Sequence, residues 1–481
     1  MKHLKLMPLL IAAAFSMPRA HAVELIAVGS LSGLGSDLSS ATAGPLENGV
    51  AGNLLGGLGS GLAYAGGNTF IATPDRGPNA SVYNPLVDNT TSYINRFQTI
   101  NMTLTANAGP GLAYTLTPTL SATTLLSSST SLSYGSGALG TGGGYALGGG
   151  APTLNSAGHY YFTGRSDNFD PSQTSANPNN GRLDPEAVRV SRDGKSVYVS
   201  DEYGPYVYQF DRATGQRINS YALPGTLAVS HLSASGDAEI AGNASGRIAN
   251  KGMEGLAITP DGKTLVGAMQ ANLAQDAKGT LRIVTIDLAT KATHEYAYQL
   301  STGTGVSEIV ALNDHQFLVD ERDGKGLGDG SKAVNKQLYM VDLAGATDVS
   351  GLAAINAGTP ALNKQLFLDL VPVLVANGYS AKQIPAKIEG LAFGADIMRG
   401  GVLTHTLYVA NDNDFSTDSG DNKFFVFGVT DADLARIGAS YMAQTLSPVP
   451  EAPGYGMLLA GMGMICLVGR RKRNAVFRKK V

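Results

Sequence analysis

The sequence predicts an all-β propeller of about six blades, with loop insertions, and three observations carry that expectation. One hairpin design recurs along the chain, as an alternating apolar run, a tight turn and a second apolar run. The composition agrees, because 61 of the 481 residues are glycine and only 15% are charged, which suits short strands joined by tight turns. The copies are also separated by unequal insertions, including a Gly, Ser and Thr-rich stretch near residues 102–150. Irregular spacing favours an elaborated propeller over a regular solenoid.

Taken in order, the first hairpin is GSGLAYAGGNTFIATPDRG, which starts with Ser60 and ends at Asp75-Arg76-Gly77. The second, DPEAVRVSRDGKSVYVSDE at 184–202, turns at Asp193-Gly194 and sets Glu186 across from Asp201, with Glu202 next. The third, MEGLAITPDGKTLVGAMQ at 253–270, turns at Asp261-Gly262 and sets Glu254 across from Gln270. The fourth begins at Glu308 and returns to Asp320, Glu321 and Arg322. The fifth begins at Glu389 and returns to Asn411-Asp412.

Acid therefore meets acid or amide at the open end of most hairpins. Like charges facing each other across two strands cost up to about 1 kcal/mol, so something must compensate them. In a propeller the start of each inner strand and the end of its partner lie at one mouth of the axis. Glu186, Asp201, Glu254, Glu308, Asp320, Glu389, Asp412 and Asp75 are accordingly the expected metal ligands. A donor set of carboxylates and amides prefers a hard cation, Ca²⁺ most naturally. Arg76, Arg182 and Arg322 would act as internal counter-ions or grip an anionic substrate in bidentate fashion. The simpler alternative is that each glutamate only caps neighbouring backbone N–H groups, although capping does not explain why the return strand so often ends in another acid.

The ends of the chain have their own signatures. Lys2 and Lys5, an apolar run and Ala20-His21-Ala22 read as a signal peptide over residues 1–22, removed by signal peptidase. The mature domain is then 23–446, and 447–481 forms a tail. There SPVPEAPG leads into GYGMLLAGMGMICLVG and then Arg470, Arg471, Lys472 and Arg473, basic residues that stay cytoplasmic behind a transient membrane anchor. This ending resembles the PEP-CTERM sorting signal of Gram-negative exopolysaccharide producers, with Ala452 in place of the second proline of the motif. The resemblance implies an exosortase-type protease as partner, and a final location at the cell surface, outer membrane or extracellular matrix.

Between the two ends, residues 23–446 hold 25 basic and 37 acidic groups, net −12, the wrong sign for a nucleic-acid surface. The single cysteine, Cys466, lies in the tail, which excludes a cysteine nucleophile or a Cys-ligated metal in the body. No HExxH and no G-x-S-x-G turn occurs. The acidic run DNDFSTDSGDN at 412–422 lacks the glycine and bidentate glutamate of an EF-hand, with Thr417 and Lys423 in their places.

Four segments in combination, Gly56–Tyr64, Asp184–Pro205, Asn250–Gly262 and Glu389–Phe415, resemble the phytase-like family, also named "esterase-like activity of phytase". The resemblance covers roughly residues 50–430, with Glu186-Ala187 departing mildly from the family's Glu-Gly. It implies a propeller and a phosphoester or ester hydrolase. On that reading Glu202 or Glu321 is the general base, and Arg76 and Arg322 orient the anionic group of a phosphorylated or ester substrate. The competing expectation is a non-catalytic propeller that binds calcium or matrix exopolysaccharide, and on either reading the chain is expected to be a monomer.

Overall fold

A computed structural model describes residues 23–79, 87–135 and 150–447. The segment read as a signal peptide and, apart from Ser447, the one read as a sorting tail lie outside the described residues. Among the described residues five sheets, antiparallel apart from one parallel pairing at the outer edge of the second, form five blades, not about six. Blade 1 is Gly61–Tyr64, Thr69–Thr73, Arg96–Ala106 and Tyr114–Leu125. Blade 2 is Pro185–Val190, Ser196–Asp201, Tyr206–Asp211 and Gln216–Ala222, extended at its outer edge by Ser127–Ser128 and Tyr160–Tyr161. Blade 3 is Met253–Ile258, Thr264–Met269, Thr280–Asp287 and Thr293–Gln299. Blade 4 is Gly305–Ala311, Gln316–Arg322, Lys336–Asp342 and Lys364–Asp369.

Blade 5 explains the lower count. Its inner strands Lys387–Phe393, Val402–Asp412 and Asn422–Val429 are completed by the N-terminal strand Glu24–Leu31, which pairs antiparallel with Asn422–Val429. The first strand of the chain thus founds no blade of its own but closes the ring. Each of the five hairpins recognised in the sequence is the inner half of one blade.

The predicted turns form as expected, with Gly194 and Gly262 both at φ +71°, a conformation a β-carbon would resist. Inner strands are buried on both faces, as in Met253–Ile258, because each blade is sandwiched between two others. The core is accordingly divided into one apolar layer per blade interface. Between blades 2 and 3 it includes Tyr198, Val207, Leu256 and Leu265; between blades 3 and 4, Ala257, Val266, Ile309 and Phe317. Among the described residues no helix is long and apolar enough to cross a membrane.

Candidate functional site

The register of the five hairpins decides which side chains reach the axis. Each hairpin is closed by one backbone hydrogen bond: Ala65 to Thr69, Ser191 to Ser196, Thr259 to Thr264, Leu312 to Gln316 and Gly394 to Thr406. Five residues before each donor stand Ser60, Glu186, Glu254, Ser307 and Glu389. Six residues after each acceptor stand Asp75, Glu202, Gln270, Arg322 and Asp412. These equivalent positions surround one mouth of the axis. Asp75, Glu186, Glu202, Glu254, Gln270, Arg322 and Glu389 line a cavity of about 310 Å³ there, together with Arg76, Lys387 and Asp414.

In blades 2 to 5 the inner strand carries a register shift at this point, between Pro185 and Val188, Met253 and Gly255, Val306 and Glu308, and Ile388 and Leu391. A bulge of this kind re-aims a side chain, and in blades 2, 3 and 5 it turns the acid toward the axis. The glycine after the acid has its own cause. A β-carbon on Gly255 would lie 2.8 Å from Ile309 N and 2.9 Å from Glu308 Cα, and one on Gly61 would lie 2.8 Å from Val188 N. Neighbouring inner strands touch backbone to backbone around this narrow ring.

That register corrects several sequence expectations. Glu308 sits one residue beyond its counterparts, at the position of Gly255. Its carboxylate accepts from Leu256 N and Ile309 N, both at 2.9 Å, and pairs with Arg189 Nη2 at 2.9 Å, so it caps backbone as the simpler alternative anticipated. Asp201 precedes the ring position held by Glu202. It accepts from Asp184 N, Tyr203 N and Gly204 N at 3.0–3.1 Å and fixes a loop. Glu321 points to the other side of its strand from Arg322, where it accepts from Tyr298 Oη at 2.6 Å and Ser301 N at 2.9 Å and pairs with Lys364. Asp320 shares the face of Arg322 but lies deeper, opposite Glu308, fully buried and with neither oxygen hydrogen-bonded. Burial pushes its carboxyl well above the usual range, against the pull of Arg322 and Lys336.

The remaining acids converge. One oxygen each of Asp184, Glu186 and Glu202 lie within 4.8 Å of one another, and so do oxygens of Asp75, Asp412 and Asp414. Asp184 holds Arg76 through its backbone N–H and its guanidinium, both at 2.9 Å, while Arg76 also reaches Asn250. Lys387 pairs with Asp412 at 2.9 Å and Asp414 at 2.5 Å. Arg322 pairs with Glu389 and lies 3.7 Å from Glu254, whose Oε1 also accepts from Gln270 at 2.8 Å. Glu202 accepts from Gly252 N at 2.9 Å.

Asp184, Asp414 and Lys387 were not among the residues expected from sequence. A signal for two of them exists: Asp184 and Lys387 each stand two residues before a ring glutamate, hence on the same side of an extended chain.

Carboxylates outnumber cations here, and their protonation reflects it. Burial, then Glu254 and Asp184, raises Glu186 well above the usual range. Burial, then Glu202 and Glu389, raises Glu254 likewise. Burial and Asp184 push Glu202 up to about 7, and burial pushes Glu389 up to about 7 despite Arg322 and Lys387. Asp75 is raised by burial and by Asp412. Buried Glu254 Oε2 and Glu389 Oε2 have no hydrogen-bond partner.

Residues 53–415, which contain every one of these positions, match the family described as phytase-like, "Esterase-like activity of phytase". The chain belongs to this family. An uncharacterized secreted protein of Arthroderma benhamiae is 32% identical over 177 residues, covering 29% of this phytase-like chain and 34% of the relative. The chain therefore spans about a third of that relative's length. Among solved structures, hydrazine synthase of Kuenenia stuttgartiensis is 10% identical over 75% of this chain and 78% of its own, with a TM-score of 0.29. A putative 6-phosphogluconolactonase from Bacteroides uniformis is 12% identical over 81% and 93%, also at 0.29. At such scores neither likeness bears on fold or chemistry.

Proposed function

We propose that this phytase-like protein is an exported, cation-dependent hydrolase of phosphate or carboxylic esters, acting at the acidic mouth of the propeller. The observation that carries the reading is the surplus of buried carboxylates, with Glu254 Oε2 and Glu389 Oε2 left without partners. An unpaired buried carboxylate is costly, and an all-oxygen donor set fits a hard divalent cation such as Ca²⁺. Asp184, Glu186 and Glu202 would hold one cation, and Asp75, Asp412 and Asp414 form a second group of donors. When bound, such a cation neutralises an ester or phosphate oxygen and lowers the pKa of a water.

The chain's own residues supply the rest. Glu202 commits one oxygen to Gly252 N and would offer the other to the cation, so on this reading it serves as a ligand and not as the proton acceptor. Arg322 and Arg76 border the cavity and attract an anionic group, each with its Nε lacking a hydrogen-bond partner. Export and surface display follow from the signal and tail read in the sequence, and the related fungal protein is described as secreted.

One observation favours a second reading. Arg76, Arg322 and Lys387 are already ion-paired, which suits a static site binding calcium or matrix polysaccharide. The test is an assay against phytate, simple phosphomonoesters and short acyl esters, with added Ca²⁺ and again with chelator. Chelator-sensitive turnover is expected, with Glu254→Gln weakening Ca²⁺ binding roughly tenfold without unfolding, a change of about 1.4 kcal/mol. Absence of turnover on every substrate, with Ca²⁺-dependent polysaccharide binding, would establish the second reading.

A further inference from the structure

The two ends of the propeller axis are finished differently. The end opposite the acids is crossed by residues 440–447. Met442 N donates to Leu312 O at 2.7 Å in blade 4, while Gln444 Nε2 donates to Val190 O at 3.0 Å and Ser447 N to Arg192 O at 2.9 Å in blade 2. Tyr441 packs on Phe393 and His405, with ring centroids 4.5 and 4.4 Å apart. Ser447, the last described residue, is therefore pinned at the hairpin-turn end. An inner strand of six residues separates that end from the acids, about 20 Å.

The same end carries an apolar projection. Beyond the bond that closes the blade 5 hairpin, the chain continues as a ribbon in which Ile397 pairs with Thr404, Met398 with Leu403 and Arg399 with Val402. Met398 is 64% exposed, Val402 47% and Leu403 44%, and Met442 on the crossing segment is 52% exposed. Met398 and Leu403 oppose each other on one face of the ribbon, and an exposed apolar pair of this kind suits the boundary between headgroups and acyl chains.

We infer that the hairpin-turn end of the propeller is a membrane-contacting surface, seated on a lipid bilayer, and that the acidic mouth opens away from it. The inference rests on the tail acting as an anchor and is independent of hydrolysis. Chain length enforces the orientation: only residues 448–453 separate Ser447 from the apolar stretch beginning at Gly454, a reach of at most about 22 Å. That reach is too short to lead around a blade and bring the mouth to the bilayer.

The test uses the full chain in liposomes of phosphatidylcholine and phosphatidylglycerol containing a quencher-bearing lipid. With Cys466→Ser, a single fluorophore is attached through Asn68→Cys in the blade 1 turn or through Asp418→Cys beside the mouth, both exposed positions. The Asn68 label is expected to be quenched several-fold more than the Asp418 label. In the doubly substituted M398D/L403D chain, the Asn68 label should be quenched less. Equal quenching at both positions, or stronger quenching at Asp418, overturns the orientation. A chain that does not float with the liposomes overturns it through the anchor, and unchanged quenching in M398D/L403D overturns contact through the ribbon. Neither readout depends on turnover.

Discussion

Blades 3 and 4 are built from the same hairpin, yet they bring opposite charges to the axis. Blade 3 supplies Glu254 and Gln270; blade 4 supplies Ser307 and Arg322 at the equivalent positions. Blade 4 does have a glutamate, but one residue later, where blade 3 has Gly255. There it spans the gap to blade 3 and pairs with Arg189 of blade 2. A shift of one residue in a bulged strand thus separates an acid facing the cavity from one that ties three blades together. Arg322 then supplies the axis with a cation, balancing Glu389 and Glu254 from the two neighbouring blades.

The sharpest way to break this comparison is to remove each glutamate in turn. Glu308→Ala leaves Arg189 charged and 5% exposed and strips Leu256 N and Ile309 N of their acceptor. Breaking a buried ion pair from one side costs about 3–5 kcal/mol, and that loss should appear in the denaturant midpoint. Glu254→Gln, one register position away, should leave the midpoint within about 1 kcal/mol of the parent, because it removes a surplus charge and keeps the shape. Equal losses in the two variants would erase the distinction between them.

A smaller effect concerns pH. Glu202 and Glu389 are pushed from 4.5 up to about 7 in the folded chain, chiefly by burial. Between those two values the folded state retains protons that the unfolded chain has released. The stability of the cation-free chain should therefore fall as pH rises from about 4.5 to about 7. At the proposed cation site saturating Ca²⁺ would engage only the ionised folded form and should flatten the slope. Arg322→Met should steepen it, since the guanidinium is what lowers Glu254 and Glu389. Thermal unfolding in chelator at pH 5 and pH 7.5 measures all three, and a midpoint that rises with pH in chelator contradicts the assignment.

The five hairpins were legible because tight turns and apolar runs are local signals, and each proved to be the inner half of a blade. The blade count was not, since the strand Glu24–Leu31 joins Asn422–Val429 across almost the whole chain and nothing local marks that pairing. The site was half legible for a related reason. Pairing outward from a turn assumes unbroken register, which put Asp201 opposite Glu186, whereas the bulge at Glu186-Ala187 sets Asp201 opposite Pro185 and leaves the place at the mouth to Glu202. In blade 4 Glu308 does pair with Asp320, but one residue short of the ring, and Glu321 faces the other side of its strand. Only the tertiary contact that forces a small residue against the next blade reveals where each bulge falls.

The smallest expected effect tests whether a ring position matters by itself. Ser60 occupies in blade 1 the place of Glu254, is 1% exposed, and donates its hydroxyl to Gly57 O at 3.2 Å rather than meeting any carboxylate. Blade 1 also lacks the register shift of the other four, its inner pair running unbroken from Gly61 opposite Thr73 to Tyr64 opposite Phe70. Its neighbour in the ring, Asp75, instead takes part in the group with Asp412 and Asp414. Gly57 O retains Ser60 N as a donor at 3.2 Å when the hydroxyl is lost. Ser60→Ala should therefore cost about 1 kcal/mol or less, the net worth of one neutral hydrogen bond, and leave Ca²⁺ affinity unchanged by titration calorimetry. A clear loss of affinity in Ser60→Ala would mean that the hydroxyl, like the bulged glutamates, faces the cation, and that blade 1 contributes to the mouth through both of its inner strands.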